Sequence, residues 1–139
     1  MTSVPRIDFA TVRRPRSPNT FLLAPDGVCQ QAKVDHAAPV YPIKAAKLRQ
    51  EFLSLVVPLA RVSHSLADEG DLYDDFVARS AVFGFPDLVS VKFIDLPRGR
   101  STLALYSRSV YGRSDLGVNR ARSLGWIAKL NGVVKPVTA

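Results

Sequence analysis

Residues 73–109, YDDFVARSAVFGFPDLVSVKFIDLPRGRSTLALYSRS, decide the fold, because their apolar positions recur at every second residue. Between Tyr73 and Phe83, Phe76, Ala78, Ser80 and Val82 share one side of an extended chain, and Val77, Arg79 and Ala81 share the other. Gly84 to Asp87 interrupts that run, after which Val89, Val91 and Phe93 alternate with Ser90 and Lys92. The turn PRGR at 97–100 leads into a further strand with Leu103, Leu105 and Ser107 opposite Ala104, Tyr106 and Arg108. Upstream, Val62 and Leu66 mark a strand that ends in the acidic turn ADEGD around Gly70. Connections this short join antiparallel neighbours, since parallel ones need crossovers of about a dozen residues. The expectation is a four-strand antiparallel meander.

Both flanks of the meander return to helical spacing. Pro42 opens IKAAKLRQEFLSLVV (43–57), where Ala45, Leu48, Phe52, Leu55 and Val56 form an apolar face. Lys44, Lys47, Arg49 and Glu51 fill its other face, and Pro58 ends it. After the turn YGRSD (111–115), the run LGVNRARSLGWIAKL carries a stripe of Val118, Ala121, Leu124, Ile127 or Ala128, and Leu130. Six of the ten prolines fall before residue 43, which suits an extended arm. Phe21, Leu22 and Leu23, held between Asn19 and the turn Pro25-Asp26-Gly27, read as a short strand or an apolar anchor on the core. The fold class is thus α+β: a two-layer domain with an antiparallel sheet of four or five strands flanked by two helices. Its order is helix, meander, helix, with an arm at 1–42, a domain at 43–132 and a tail at 133–139.

The 139 residues suit one domain, and 47% apolar against 22% charged residues excludes a disordered composition. Net charge is +7, and from Arg98 to Ala139 eight basic residues stand against one acid, Asp115. Five acids crowd into residues 68–75, so the chain is polarised along its length and the two regions can face each other or an anionic partner. Cys29 is the only cysteine, which excludes an intrachain disulfide. No run approaches the roughly 18 apolar residues of a spanning helix. As given, the chain reads as soluble and cytoplasmic by default; an anchor upstream of Met1 would place it in a periplasm or at a membrane.

The segment 106–122, YSRSVYGRSDLGVNRAR, resembles the closing motif of the domain-of-unknown-function family DUF1499, which runs roughly R-S-x-S-R-x-G-x-S-D-x-G-x-N-R-x-R into a terminal helix. Ser17-Pro18-Asn19 and ARSAVFGFPDLVSV (78–91) agree in order with two further pieces of that family. The family commonly carries a cysteine after its Pro-Asn, where this chain has Thr20, so no role of that cysteine transfers. Tyr106 also stands where an arginine is frequent. The resemblance implies relatives that are secreted, lipid-anchored or plastid-directed, and it brings no agreed activity.

Candidate chemistry centres on Arg79, Ser80, Ser107, Arg108, Ser109, Arg113, Ser114, Asp115, Asn119 and Arg120. Together they would make a basic, hydroxyl-rich strand-to-helix corner. Arginine forks grip oxyanions and the amides opening a helix carry partial positive charge, so such a corner suits a small anion or an acidic protein surface. An architectural reading competes: Asp115 caps the helix, Asn119 bonds turn carbonyls, and Arg120 pairs with Asp87. A hydrolase using Ser109 or Ser114 with Asp115 is the enzymatic alternative, but no nucleophile elbow surrounds either serine. Of the two histidines, His36 lies in the arm, and His64 reads as a partly buried, satisfied strand residue. Asp68, Glu69, Asp71, Asp74 and Asp75 lack calcium-loop order and read as a solvated turn. Trp126 reads as packing rather than as a base-stacking platform, which disfavours nucleic acid. No metal-ligand spacing and no cofactor fingerprint is present.

Overall fold

The computed structural model describes residues 6–16, 18–81, 84–110 and 117–138. Its elements run β1 (Thr20–Ala24), β2 (His36–Ala37), α1 (Ala45–Val56), β3 (Val62–Asp68), β4 (Tyr73–Arg79), β5 (Pro86–Leu96), β6 (Arg100–Ser109) and α2 (Val118–Val133). The strands form one six-stranded sheet in the order β2-β1-β6-β5-β4-β3. The meander β3 to β6 is antiparallel throughout, as the period-two pattern requires. Two strands from the arm extend it. Phe21 to Leu23 lie in β1, which pairs antiparallel with β6, from Thr20 opposite Arg108 to Leu23 opposite Leu105. The two-residue β2 pairs parallel with β1, so the sheet is mixed rather than wholly antiparallel. β4 ends at Arg79, short of the expected Phe83; Ser80 already belongs to the turn, and 82–83 lie outside the described residues.

Strand alternation sends two sets of side chains to opposite faces. Phe21, Leu23, Phe76, Val89, Val91, Phe93, Leu103 and Leu105 form the main core with both helices. From α1, the buried apolar residues are Ala45, Leu48, Phe52 and Val56. Arg49, expected on the solvent face of that helix, is buried as well. Its Nε and Nη2 meet the two oxygens of Asp74 at 2.8 and 2.9 Å, and Asp74 also receives His64 Nε2 at 2.8 Å. The expected solvated acidic turn is therefore divided, because Asp74 and Asp75 enter β4 and are buried, Asp68 closes β3, and only 69–72 turn. The first free amide of α1 is met across the fold by Asp95 Oδ1, 2.8 Å from Ala45 N.

α2 is rotated relative to its apolar pattern. Asn119, Ser123, Trp126, Ile127 and Leu130 face inward, and Val118 is 45% exposed. Trp126 packs edge-on to Phe52 and Phe76 at 6.0 and 5.7 Å. On the far face of the sheet, Phe9 and Val12 of the arm cover Leu22, Ala24, Tyr73, Ala104 and Tyr106. The arm thus supplies a third layer. Arg6 fastens its start, pairing with Asp68 and Asp71 at 2.6 Å each and lying over the Tyr73 ring.

Candidate functional site

The corner where β6 gives way to α2 is organised by Asn119, which is wholly buried. Its Nδ2 donates to the Asn19 carbonyl at 3.0 Å and to Ser109 Oγ at 2.8 Å, and its Oδ1 accepts from Ser107 Oγ at 2.5 Å and Arg122 Nη1 at 3.1 Å. Arg122 Nη2 then pairs with Asp87 at 2.8 Å. One asparagine therefore ties the start of β1, the end of β6 and the first turns of α2, with Arg122 carrying the link to β5. Asp87 takes Arg122 and not Arg120; one turn of helix presents positions 119 and 122 inward together, while Arg120 points outward, 5.4 Å from the Phe21 ring.

The sheet divides the remaining candidates. Ser107 and Ser109 face α2, but Arg108, between them, emerges on the opposite face. There its Nη1 donates to Ser90 Oγ at 3.1 Å and to the Tyr106 carbonyl at 3.2 Å. Ser90 Oγ in turn donates to Asp75 at 2.5 Å, so a serine stands between that cation and the nearest carboxylate. Burial pushes the Arg108 guanidinium below its ordinary value, and Asp75 pulls the other way. Arg79 and Ser80 shape the turn after β4: Arg79 Nη1 donates to the Gly84 carbonyl at 2.9 Å, and Ser80 Oγ accepts from Phe85 N at 3.1 Å. Arg113, Ser114 and Asp115 lie outside the described residues; Gly117, at a left-handed φ of 82°, leads into α2.

Two clefts adjoin these groups, and another lies away from them under the arm. One of about 290 Å³ includes Arg14, Thr20, Gly117 and Arg120, but Asp35 lines it too and pairs with Arg14 at 2.7 Å. A second of about 440 Å³, under the arm, mixes Arg6 and Lys92 with Asp8 and Asp71. The third, of about 500 Å³, opens between the β3–β4 end of the sheet and α2. Arg61, Arg79, Arg122 and Ser80 line it together with apolar residues including Val62, Ala78, Val118 and Trp126, and its described lining contains no carboxylate. Arg79 N donates to the Arg61 carbonyl at 2.9 Å, which holds the backbones of these two arginines side by side. Neither makes an ion pair among the described residues. Arg61 also holds a left-handed φ of 62°, uncommon for a side chain of this size.

Sequence reasoning passed over Arg61 and Arg122. Arg122 stands inside the closing motif, and its spacing of three from Asn119 was the available signal. Arg61 follows the first helix with no pattern to mark it. Among the described residues, no helix is long and apolar enough to cross a membrane.

Comparison with known proteins adds a family and a partial structural likeness. The crystal structure of Ara h 8.0201 is similar at a TM-score of 0.47 and 12% identity, over 69% of this chain and 92% of that one. No curated protein matches. The sequence profile described as "Protein of unknown function (DUF1499)" matches residues 13–130, nearly the whole of the sheet and both helices, and the chain belongs to that family.

Proposed function

We propose that the protein is a noncatalytic anion-binding domain whose ligand enters the cleft beside the strand-to-helix corner, at Arg61, Arg79, Arg122 and Ser80. The observation that carries this reading is the Arg61–Arg79 pair: two arginines joined backbone to backbone, both lining one concave surface and neither ion-paired among the described residues. Like charges held together repel, and an oxyanion between them relieves that repulsion while accepting hydrogen bonds from both. Arg122, held by Asp87 and Asn119, is a fixed guanidinium on the wall whose charge Asp87 balances. Asn119, Ser107 and the half-buried Ser109 are scaffolding in this reading, and Arg108 belongs to the other face.

Calorimetric titration with inorganic phosphate at low salt tests it. Wild type is expected to bind, and Arg79→Ala or Arg61→Ala to weaken binding about fivefold to tenfold, the loss of roughly 1 to 1.4 kcal/mol. Arg108→Ala, across the sheet, leaves the affinity unchanged. Absence of phosphate binding by folded wild type, or equal binding by the Arg79 variant, would overturn the assignment.

A further inference from the structure

We infer that the ligand of this cleft is an amphipathic anion, a carboxylate or phosphate head on an apolar tail; this rests on the anion-binding reading and specifies its substrate class. The cleft is too large and too apolar for a bare oxyanion. At about 500 Å³ it holds roughly seventeen water volumes of about 30 Å³ each, several times what an inorganic phosphate fills. Its size falls in the range of small-molecule pockets, which pair mostly apolar walls with a few placed polar groups.

The distribution of chemistry within it is also asymmetric. Polar groups come from Arg61, Arg79, Ser80 and Arg122, while Val62, Val118 and the edge of Trp126 supply an apolar surface. Trp126 is 5% exposed and braced by Phe52 and Phe76, so the indole is a rigid floor and not a mobile lid. Val118 is 45% exposed on the first turn of α2, an apolar residue left facing solvent at the cleft wall. An apolar tail covering Val118 and Trp126, with its head between Arg61 and Arg79, satisfies both halves at once. The absence of a lining carboxylate among the described residues sets the sign of the head.

Trp126 is the chain's only tryptophan and lines this cleft, so in the folded protein a ligand there perturbs the single indole signal. The test is a fluorescence titration with n-alkyl phosphates from ethyl to octyl, each kept monomeric, beside inorganic phosphate and a matched n-alkyl carboxylate series. Each added methylene is expected to tighten binding about twofold to fourfold until the cleft is filled, with a shift in Trp126 emission. The carboxylate series, compared at equal tail length, identifies which head is preferred. Arg79→Ala is expected to weaken every member by one common factor, and Val118→Ser to shrink the gain per methylene without changing phosphate affinity. Phosphate binding that does not improve with tail length overturns the amphipathic ligand and leaves the anion site standing. Failure of both phosphate and alkyl phosphates overturns the two together. Equal binding of octanol and octyl phosphate removes the anionic head, and binding to anionic phosphatidylglycerol vesicles without any to the monomers removes the monomeric ligand.

Discussion

Asn119, wholly buried, and Arg108, half-buried, are polar residues with opposite energetic consequences. Asn119 satisfies a carbonyl and two hydroxyls inside the protein, so truncation strands partners that water cannot reach. Asn119→Ala is expected to lower unfolding free energy by about 2–3 kcal/mol, read from the urea midpoint at unchanged m-value. Among the described residues Arg108 makes hydrogen bonds only to neutral acceptors, and burial already works against its charge. Replacing it by a long apolar side chain removes the desolvation cost along with those bonds. Arg108→Met is therefore expected to change stability by less than about 1 kcal/mol in the same measurement. A large loss would mean that Arg108 holds a partner stronger than Ser90. Position 108 also marks where a linear reading of the candidate site had to fail. Ser107, Arg108 and Ser109 are adjacent in sequence, yet the alternation that made the strand legible sends the arginine through the sheet to the other face.

At the scale of elements, what could be read from the sequence was whatever repeats locally. The meander followed from period two, α1 from Ala45, Leu48, Phe52 and Val56, and β1 from three apolar residues between turn signals. Contacts that close over long separations left no such trace. β2 is two residues without a pattern, held by β1 alone, and the Ala45 amide is met by a side chain fifty residues away. Arg49 looked like surface because its partner, Asp74, is on another element. The inward face of α2 has a related cause: Asn119 is polar and turns inward to partners on other elements, while the buried Ser123 satisfies its hydroxyl on the Asn119 carbonyl of its own helix. Two measurements weigh these contacts. Arg49→Ala leaves Asp74, with no exposed surface, facing only His64, and is expected to cost about 3 kcal/mol or more. Phe9→Ala opens a cavity between the arm and the sheet and is expected to cost about 3 kcal/mol. A change near zero at Phe9 would show that the arm is a loose linker and not a layer.

Across the whole molecule, charge is distributed differently from its order in the chain. Arg6, Arg49 and Lys92 take up Asp68, Asp71 and Asp74 of the acidic stretch, and from the basic C-terminal segment Arg108 reaches Asp75 through Ser90, so much of the net charge of +7 is left to other surfaces, including the Arg61–Arg79 mouth. The tyrosines reveal the molecule's burial collectively. Of the four, Tyr41, Tyr73 and Tyr106 are buried, and burial raises the ionisation of each above the ordinary phenol value; at Tyr106, nearby Arg108 and Arg14 only partly offset it. In the unfolded chain all of them ionise near pH 10. Above that pH the folded state keeps protons that the unfolded state has released, so stability is intact below about pH 10 and falls as pH rises further. Each phenol contributes at most about 1.4 kcal/mol per pH unit to that fall. Against a total stability of about 5–15 kcal/mol, three such groups bring the protein to unfolding within a few units above pH 10. Tyrosinate absorbance and Trp126 emission followed together from pH 8 upward are expected to change in one cooperative step, because the buried phenols ionise when the sheet opens. Tyr41→Phe is expected to reduce the slope of the denaturation midpoint against pH by about a third. Gradual ionisation of all the tyrosines near pH 10, with Trp126 emission still native, would contradict the burial on both faces of the sheet.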